Sequence, residues 1–140
     1  MPKSPHVLFL CTANSCRSQI AEGWFRALAP EGWVAESAGT NPVGHVHPGA
    51  VATMAEAGVD ISGQQSKGID PGIYRRATLI VTVCGHADER CPVPPPGTVK
   101  LHWPIEDPVA SASFREVREE LRRRILEMIR ELEGGIGDSR

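Results

Sequence analysis

Residues 11–18 read Cys-Thr-Ala-Asn-Ser-Cys-Arg-Ser and contain the pattern Cys-x5-Arg-Ser, which suits chemistry on a tetrahedral oxyanion. In such a loop between a strand and a helix, backbone N–H groups converge on one point, and the helix dipole adds to their positive field. This field favours the thiolate of Cys11, and a thiolate beneath a bound oxyanion is a nucleophile. The planar fork of Arg17 can bind two oxyanion oxygens. We therefore expect a binding cradle made of Thr12, Ala13, Asn14, Ser15, Cys16 and Arg17.

Three residues of this loop have predicted supporting or secondary roles. Ser18 can donate a hydrogen bond that keeps Cys11 ionised, and Asn14 tolerates the left-handed backbone that a tight loop needs. Cys16 cannot share the centre of the cradle with Cys11, so we expect it to pack or to have a secondary role. The alternative for Cys11 is a buried cysteine at a strand end, because short patterns recur by chance. The strand–loop–helix context favours the catalytic interpretation.

The other two cysteines, Cys84 and Cys91, lie seven residues apart in the sequence. Without a secretion signal, such thiols are more often catalytic, redox-active or metal-binding than parts of a disulfide framework. A metal site formed with His86 and His102 is one alternative, but the spacing lacks the close cysteine pair typical of zinc. Two unreactive buried cysteines are another alternative. Asp107 precedes a proline, which disfavours helix and suits a general acid in a projecting loop, although Asp-Pro is also common in turns.

Length and composition limit the function classes. The chain has 140 residues, of which 41% are apolar, and a formal net charge of −2, which predicts one globular domain over residues 1–140. Such a charge lacks the basic footprint of nucleic-acid binders, and no apolar run approaches the roughly 20 residues that span a bilayer. No signal peptide is evident. We therefore expect a cytoplasmic protein, monomeric by default, with no nucleic-acid or membrane partner.

The elements that must position the candidates alternate between strands and helices. Helices are predicted from Ser18 to Pro30, from Pro48 to Glu56, and from Phe114 to a stop at Gly134-Gly135. Strands are predicted over His6–Cys11, Trp33–Ser37, Ala77–Cys84 and Val99–His102. This order is typical of a three-layer α/β domain in which a parallel sheet is flanked by helices. Sites in such folds lie beyond the carboxyl ends of the strands, where Cys11 and Cys84 both fall.

The run at residues 11–24, Cys-Thr-Ala-Asn-Ser-Cys-Arg-Ser-Gln-Ile-Ala-Glu-Gly-Trp, resembles the signature of the thioredoxin-coupled arsenate reductases. These enzymes share the fold of the low-molecular-weight protein tyrosine phosphatases, a four-stranded parallel sheet flanked by helices. The likeness covers most of the chain and includes Ser37-Ala-Gly39, Val59-Asp-Ile-Ser62, Val81-Thr-Val-Cys84, Cys91-Pro92, His102-Trp103 and Asp107-Pro108.

The resemblance implies a relay of three cysteines. Cys11 would attack arsenate while Asp107 protonates the departing oxygen. Cys84 would then attack Cys11 and release arsenite, and Cys91 would attack Cys84 to form a disulfide that thioredoxin reduces. Phosphate and sulfate would compete with arsenate for the cradle. The resemblance implies no cofactor.

Two other functions remain open at this stage. A low-molecular-weight tyrosine phosphatase would hydrolyse aryl phosphates through a phosphocysteine at the same loop. Such phosphatases usually carry aromatic residues after the Asp-Pro step, whereas this chain continues Val109-Ala110-Ser111. A catalytically silent oxyanion-binding module is the third possibility, and the intact set of Cys11, Arg17 and Asp107 disfavours it.

One position departs from the pattern of the resembled family. Some of its members bind potassium beside the loop through residues that match Asn14, Glu22 and Ser37, together with an acidic residue where Lys67 stands here. We expect the ammonium of Lys67 to replace that cation by pairing with Glu22, so that no metal is required. The alternative is that Lys67 is an ordinary surface lysine.

Overall fold

A computed structural model describes residues 5–84, 96, 97, 99–109 and 113–137. Four strands in this part of the chain are β1 (His6–Cys11), β2 (Val34–Gly39), β3 (Leu79–Val83) and β4 (Lys100–Trp103). Four helices accompany them: α1 (Arg17–Leu28), α2 (Pro48–Glu56), α3 (Pro71–Arg76) and α4 (Phe114–Gly137).

The four strands form one parallel sheet in the order β2-β1-β3-β4. The central strand β1 pairs Cys11 with Gly39 of β2 and Leu10 with Thr82 of β3. Its burial on both faces explains why its sequence is continuously apolar. The predicted fold class, a four-stranded parallel sheet flanked by helices, is confirmed.

Alternate residues of β1 pack into two separate cores. Val7 and Phe9 face the larger core, to which α1, α2 and α4 contribute. Leu8 and Leu10 face a smaller core that includes Ile73 of α3. This alternation follows from the period of two along a strand and produces three layers. It also brings the beginning of α1 over the carboxyl end of β1.

Several predicted boundaries were wrong. The helix α4 continues through Gly134 and Gly135 to Gly137, because each glycine weakens a helix by only about 1 kcal/mol and does not by itself end it. The short helix α3 was missed, although Asp70 caps it by accepting a hydrogen bond from the Ile73 N–H and Pro71 begins it. The predicted strand over Ala77–Cys84 is shortened to β3.

None of the described helices is both long enough and apolar enough to cross a membrane.

Candidate active site

The backbone carbonyls of residues 12–16 point to the outside of the loop, where each accepts a hydrogen bond. Backbone N–H donors hold four of these carbonyls, and the pairs are Asn41 to Thr12 at 2.8 Å, Val43 to Ala13 at 3.2 Å, His47 to Ser15 at 2.9 Å and Ile20 to Cys16 at 2.8 Å. The carbonyl of Asn14 is held by the side chain of Gln19 at 3.0 Å. Every backbone carbonyl of residues 12–16 therefore has a hydrogen-bond donor within the protein.

Outward carbonyls determine where the N–H groups of the loop point. In a trans peptide the C=O and the N–H point to opposite sides, so the N–H groups of residues 13–17 point to the inside. The Asn14 N–H follows this rule, since it donates to Cys11 Sγ at 3.2 Å. Asn14 has φ 51°, the left-handed conformation that the sequence predicted. The loop is therefore a cradle of convergent donors around Cys11.

The thiol of Cys11 is buried and has two hydrogen-bonding neighbours. Ser18 Oγ lies 2.9 Å from Cys11 Sγ, and it accepts a hydrogen bond from Asn14 Nδ2 at 2.8 Å. Because Asn14 donates to the hydroxyl oxygen, the hydroxyl hydrogen of Ser18 can be donated to the sulfur. Donors from Ser18 and from the Asn14 N–H stabilise negative charge on Cys11.

Cys16 lines the same cavity but has different chemistry. Burial raises the pKa of Cys16 to about 11, and the negative groups Asp107 and Cys11 act in the same direction. Its sulfur accepts a long contact from Ser15 Oγ at 3.7 Å. Cys16 is thus a neutral thiol at physiological pH and does not compete with Cys11 as a nucleophile.

Arg17 and Asp107 are brought together beside Cys11 by the loop after β4. Arg17 Nη1 donates to the carbonyl of Ile105 at 2.9 Å, two residues before Asp107. The Asp107 carboxylate accepts from the Val109 N–H at 3.0 Å, which fixes a turn at the rim. Together they border a cavity of about 190 Å³ that is lined by Cys11, Ala13, Ser15, Cys16, Arg17, Asp107 and Val109.

The size of this cavity suits a small anion. Sites for drug-sized ligands are typically about 300–1,000 Å³. Its residues are small or aliphatic where they are not polar or charged. The cavity fits a tetrahedral oxyanion better than a bulky aromatic ester.

A buried polar network supports the loop from the side of β2. The Glu22 carboxylate accepts from Ser37 Oγ at 2.5 Å and pairs with Arg26 at 2.6 Å. Lys67 Nζ donates to the Ser37 carbonyl at 2.7 Å, and the Lys67 N–H donates to Asn14 Oδ1 at 2.8 Å. Glu22 thus forms its ion pair with Arg26. The expected direct pairing of Lys67 with Glu22 was wrong, because the ammonium of Lys67 contacts the Ser37 carbonyl instead.

Lys67 nevertheless acts on Glu22 through its charge. Burial raises the pKa of Glu22, whereas the Ser37 hydrogen bond and the positive charges of Arg26 and Lys67 lower it. Lys67 is half-buried, which contradicts the alternative of an ordinary surface lysine.

Of the two cysteines that follow Cys11 in the predicted relay, the structure describes only Cys84. Cys84 directly follows β3, is buried, and is disulfide-bonded, whereas Cys11 and Cys16 are free thiols. Cys91 and His86 lie outside the described residues. His102 Nδ1 is 2.7 Å from Thr82 Oγ1, and the described part of the chain contains no cluster of three metal-ligating side chains.

The sequence pointed to Lys67 but gave no role to the rest of the segment at residues 64–67, which crosses the outside of the cradle and is called the strap below. Gln64 donates to Gln19 Oε1 at 2.8 Å, the Gln65 carbonyl accepts from Gln19 Nε2 at 2.8 Å, and Ser66 Oγ donates to the Ala13 carbonyl at 3.2 Å. The sequence signal for Gln64 and Ser66 is weak, because they are polar residues far from the Cys-x5-Arg pattern. The importance of the strap depends on contacts that are remote in sequence.

The fold and the cradle define a class of protein built to hold a tetrahedral oxyanion over a cysteine. The sequence model of the family described as low molecular weight phosphotyrosine protein phosphatase matches residues 6–135, and the chain belongs to this family.

Within that family the chain is similar to proteins named arsenate reductase. Arsenate reductase 2 of Staphylococcus saprophyticus is 46% identical over 121 residues, covering 85% of this chain and 92% of that protein. A solved structure described as an arsenate reductase in the phosphate binding state has a TM-score of 0.78 and 34% identity, and covers 91% of this chain and 98% of the other. A thioredoxin-dependent arsenate reductase of Corynebacterium glutamicum has a TM-score of 0.76 and 33% identity, and covers 98% of this chain and 64% of the other.

Proposed function

We propose that this protein is an arsenate reductase that works through Cys11, Cys84 and Cys91 and is reduced by thioredoxin. The observation that carries the proposal is the order of the strands: β3, which ends just before Cys84, lies directly beside β1, which ends at Cys11. The names of the relatives support the substrate, and the thioredoxin-dependent structural neighbour supports the reductant. The proposed setting is the cytoplasm, where thioredoxin keeps thiols reduced.

In the first step, arsenate occupies the cradle and the thiolate of Cys11 attacks arsenic. Arg17 and the inward N–H groups neutralise the oxyanion, and Asp107 at the rim of the cavity supplies a proton to the departing oxygen. The S–As bond forms as the As–O bond breaks, and the oxygen leaves as water.

In the second step, Cys84 attacks the sulfur of Cys11. An S–S bond forms, and the electron pair of the S–As bond remains on arsenic, which leaves as arsenite. The register of β1 and β3 aligns Cys11 one residue short of Cys84, so their Cα atoms should be roughly 6 Å apart, within the range of a disulfide.

The two side chains begin on different faces of the sheet. Val81 and Val83 of β3 face the larger core with Phe9, so alternation directs Cys84 to the other face, while Cys11 shares the face of Phe9. The backbone after Val83 must therefore turn before the two sulfurs can meet.

In the third step, Cys91 attacks Cys84 and frees Cys11, and thioredoxin reduces the resulting disulfide by exchange. A disulfide at Cys84 that leaves Cys11 free supports this order of events.

A phosphatase that acts on aryl phosphates is the second candidate, favoured by the description of the family. Such an enzyme needs the cradle and Asp107 but neither Cys84 nor Cys91. The small cavity, with Val109 at its rim, argues against a bulky aryl ester as the main substrate.

The test is NADPH oxidation by thioredoxin reductase, thioredoxin and this protein with arsenate. We expect sustained turnover by the native chain and at most one arsenite per chain from Cys91→Ser, because its second disulfide cannot form. Cys16→Ala is the matched control, since it also removes a thiol but should turn over normally. An absence of arsenate-dependent oxidation together with brisk hydrolysis of an aryl phosphate would make the protein a phosphatase.

A further inference from the structure

We propose that Gln19 is a positioning residue for oxyanion binding, because its amide sets the orientation of the peptide between Asn14 and Ser15. The inference rests on the proposed function only in treating the cradle as an oxyanion site. It adds a role for a residue that lies outside the Cys-x5-Arg pattern.

Gln19 is fully buried, and every polar atom of its side chain has a partner. Its Nε2 donates to the carbonyls of Asn14 at 3.0 Å and Gln65 at 2.8 Å, and its Oε1 accepts from Gln64 Nε2 at 2.8 Å. These contacts fix the orientation of the amide, since a rotated amide would place Oε1 against two carbonyl oxygens.

The Asn14 carbonyl differs from the other outward carbonyls of the loop. The carbonyls of residues 12, 13, 15 and 16 have backbone N–H donors, which remain after any substitution other than proline, whereas the Asn14 carbonyl has a side-chain donor. A single substitution can therefore release one peptide of the cradle while the residues of the loop stay unchanged.

Holding this carbonyl outward points the N–H of Ser15 into the cradle. Asn14 has a left-handed backbone, which costs energy in a residue with a Cβ, so losing the hydrogen bond to the following peptide would favour its rotation. If the peptide rotated, a carbonyl oxygen would replace an N–H donor beside the anion. Hydrogen bonds to a charged group are stronger than neutral ones, so the loss should weaken anion binding by roughly 10- to 100-fold.

Gln19→Glu is the direct test, because it places a carboxylate oxygen against the carbonyls of Asn14 and Gln65. Gln65→Glu is the matched control: it makes the same substitution in the strap, but its side chain is exposed and Gln19 contacts only its backbone carbonyl. Gln19→Met removes the donor without adding charge, at similar volume, and replaces Gln19→Glu as the test if that variant does not fold.

The measurement is titration of the reduced proteins with inorganic phosphate, by calorimetry and by ¹H–¹⁵N spectra that follow the Ser15 amide. We expect the affinity of Gln19→Glu and Gln19→Met to fall by roughly 10- to 100-fold with loss of the Ser15 shift, and that of Gln65→Glu to stay within about threefold of the native protein.

Native affinity and a normal Ser15 shift in the Gln19 variants would overturn the inference. An equal loss in Gln65→Glu would also overturn it, because the effect would then come from a charge added to the strap. Arsenate reduction is not measured here, so a failure of the proposed reductase activity would leave this result interpretable.

Discussion

The inner and outer surfaces of the loop at residues 11–18 are made of the same residues but have opposite properties. The inner surface carries N–H groups, the sulfur of Cys11 and Arg17, and borders a small cavity. The outer surface carries carbonyls, and the protein holds each of them, three through backbone N–H groups of residues 41, 43 and 47 and two through Gln19 and Ile20 of α1. The inner surface is available for an anion because the outer surface is fully satisfied by the protein.

Because of this difference, we expect substitutions on the inner and outer surfaces to have different effects. A change on the inner surface removes a group that meets the substrate, so it should act on the rate. A change on the outer surface alters how firmly the loop is held, so it should act on stability and only indirectly on the rate.

The largest difference is expected between the two thiols of the loop. Cys11→Ser should abolish arsenate reduction, by roughly 10⁴-fold or more, because the nucleophile is lost. Cys16→Ala should remain within about threefold of the native rate, since its raised pKa keeps it a neutral thiol. Reduction rates of the two purified variants provide the measurement. A comparable loss in Cys16→Ala would place both thiols on the reaction path.

An intermediate effect is expected from the arginine of the inner surface. Arg17→Lys should lower kcat/KM by roughly 10²- to 10³-fold. Lysine keeps the positive charge, but it lacks the planar guanidinium that can bind the anion while one of its nitrogens donates to the Ile105 carbonyl. Arg26→Lys is the control, since Arg26 pairs with Glu22 away from the cavity. The comparison fails if both variants lose the same activity.

The smallest effect on the rate is expected from Lys67, on the outer surface. The pKa of Glu22 is raised above its usual value, so Glu22 contributes stability at acid pH that is lost as pH rises through its folded pKa. Because the charge of Lys67 limits this loss, Lys67→Met should destabilise the protein by about 1–2 kcal/mol at neutral pH and by less near pH 4.

Urea unfolding of native and Lys67→Met proteins at both pH values measures this difference. In the Glu22→Gln background the pH dependence of the Lys67→Met effect should disappear. An equal destabilisation at both pH values would mean that the contact of Lys67 with the Ser37 carbonyl, and not its charge, is what matters.

Most of the fold followed from the sequence because its signals are local. The continuous apolar run of β1, the step of three or four residues along α4 and the proline at the beginning of α2 each depend on near neighbours. The boundaries were less predictable: α3 has only six residues, and α4 continues past Gly134 and Gly135 to Gly137.

The sequence by itself determined the inner surface of the site, because Cys11, Arg17 and Ser18 belong to one contiguous strand–loop–helix segment whose geometry follows from its own residues. Only the tertiary structure decided most of the outer surface. Apart from Gln19 and Ile20 of α1, the donors there are backbone N–H groups of residues 41, 43 and 47 and the strap. Backbone donors have no residue-type signature, and the environment of Glu22, Lys67 and Cys16 depends on burial, which the folded chain creates.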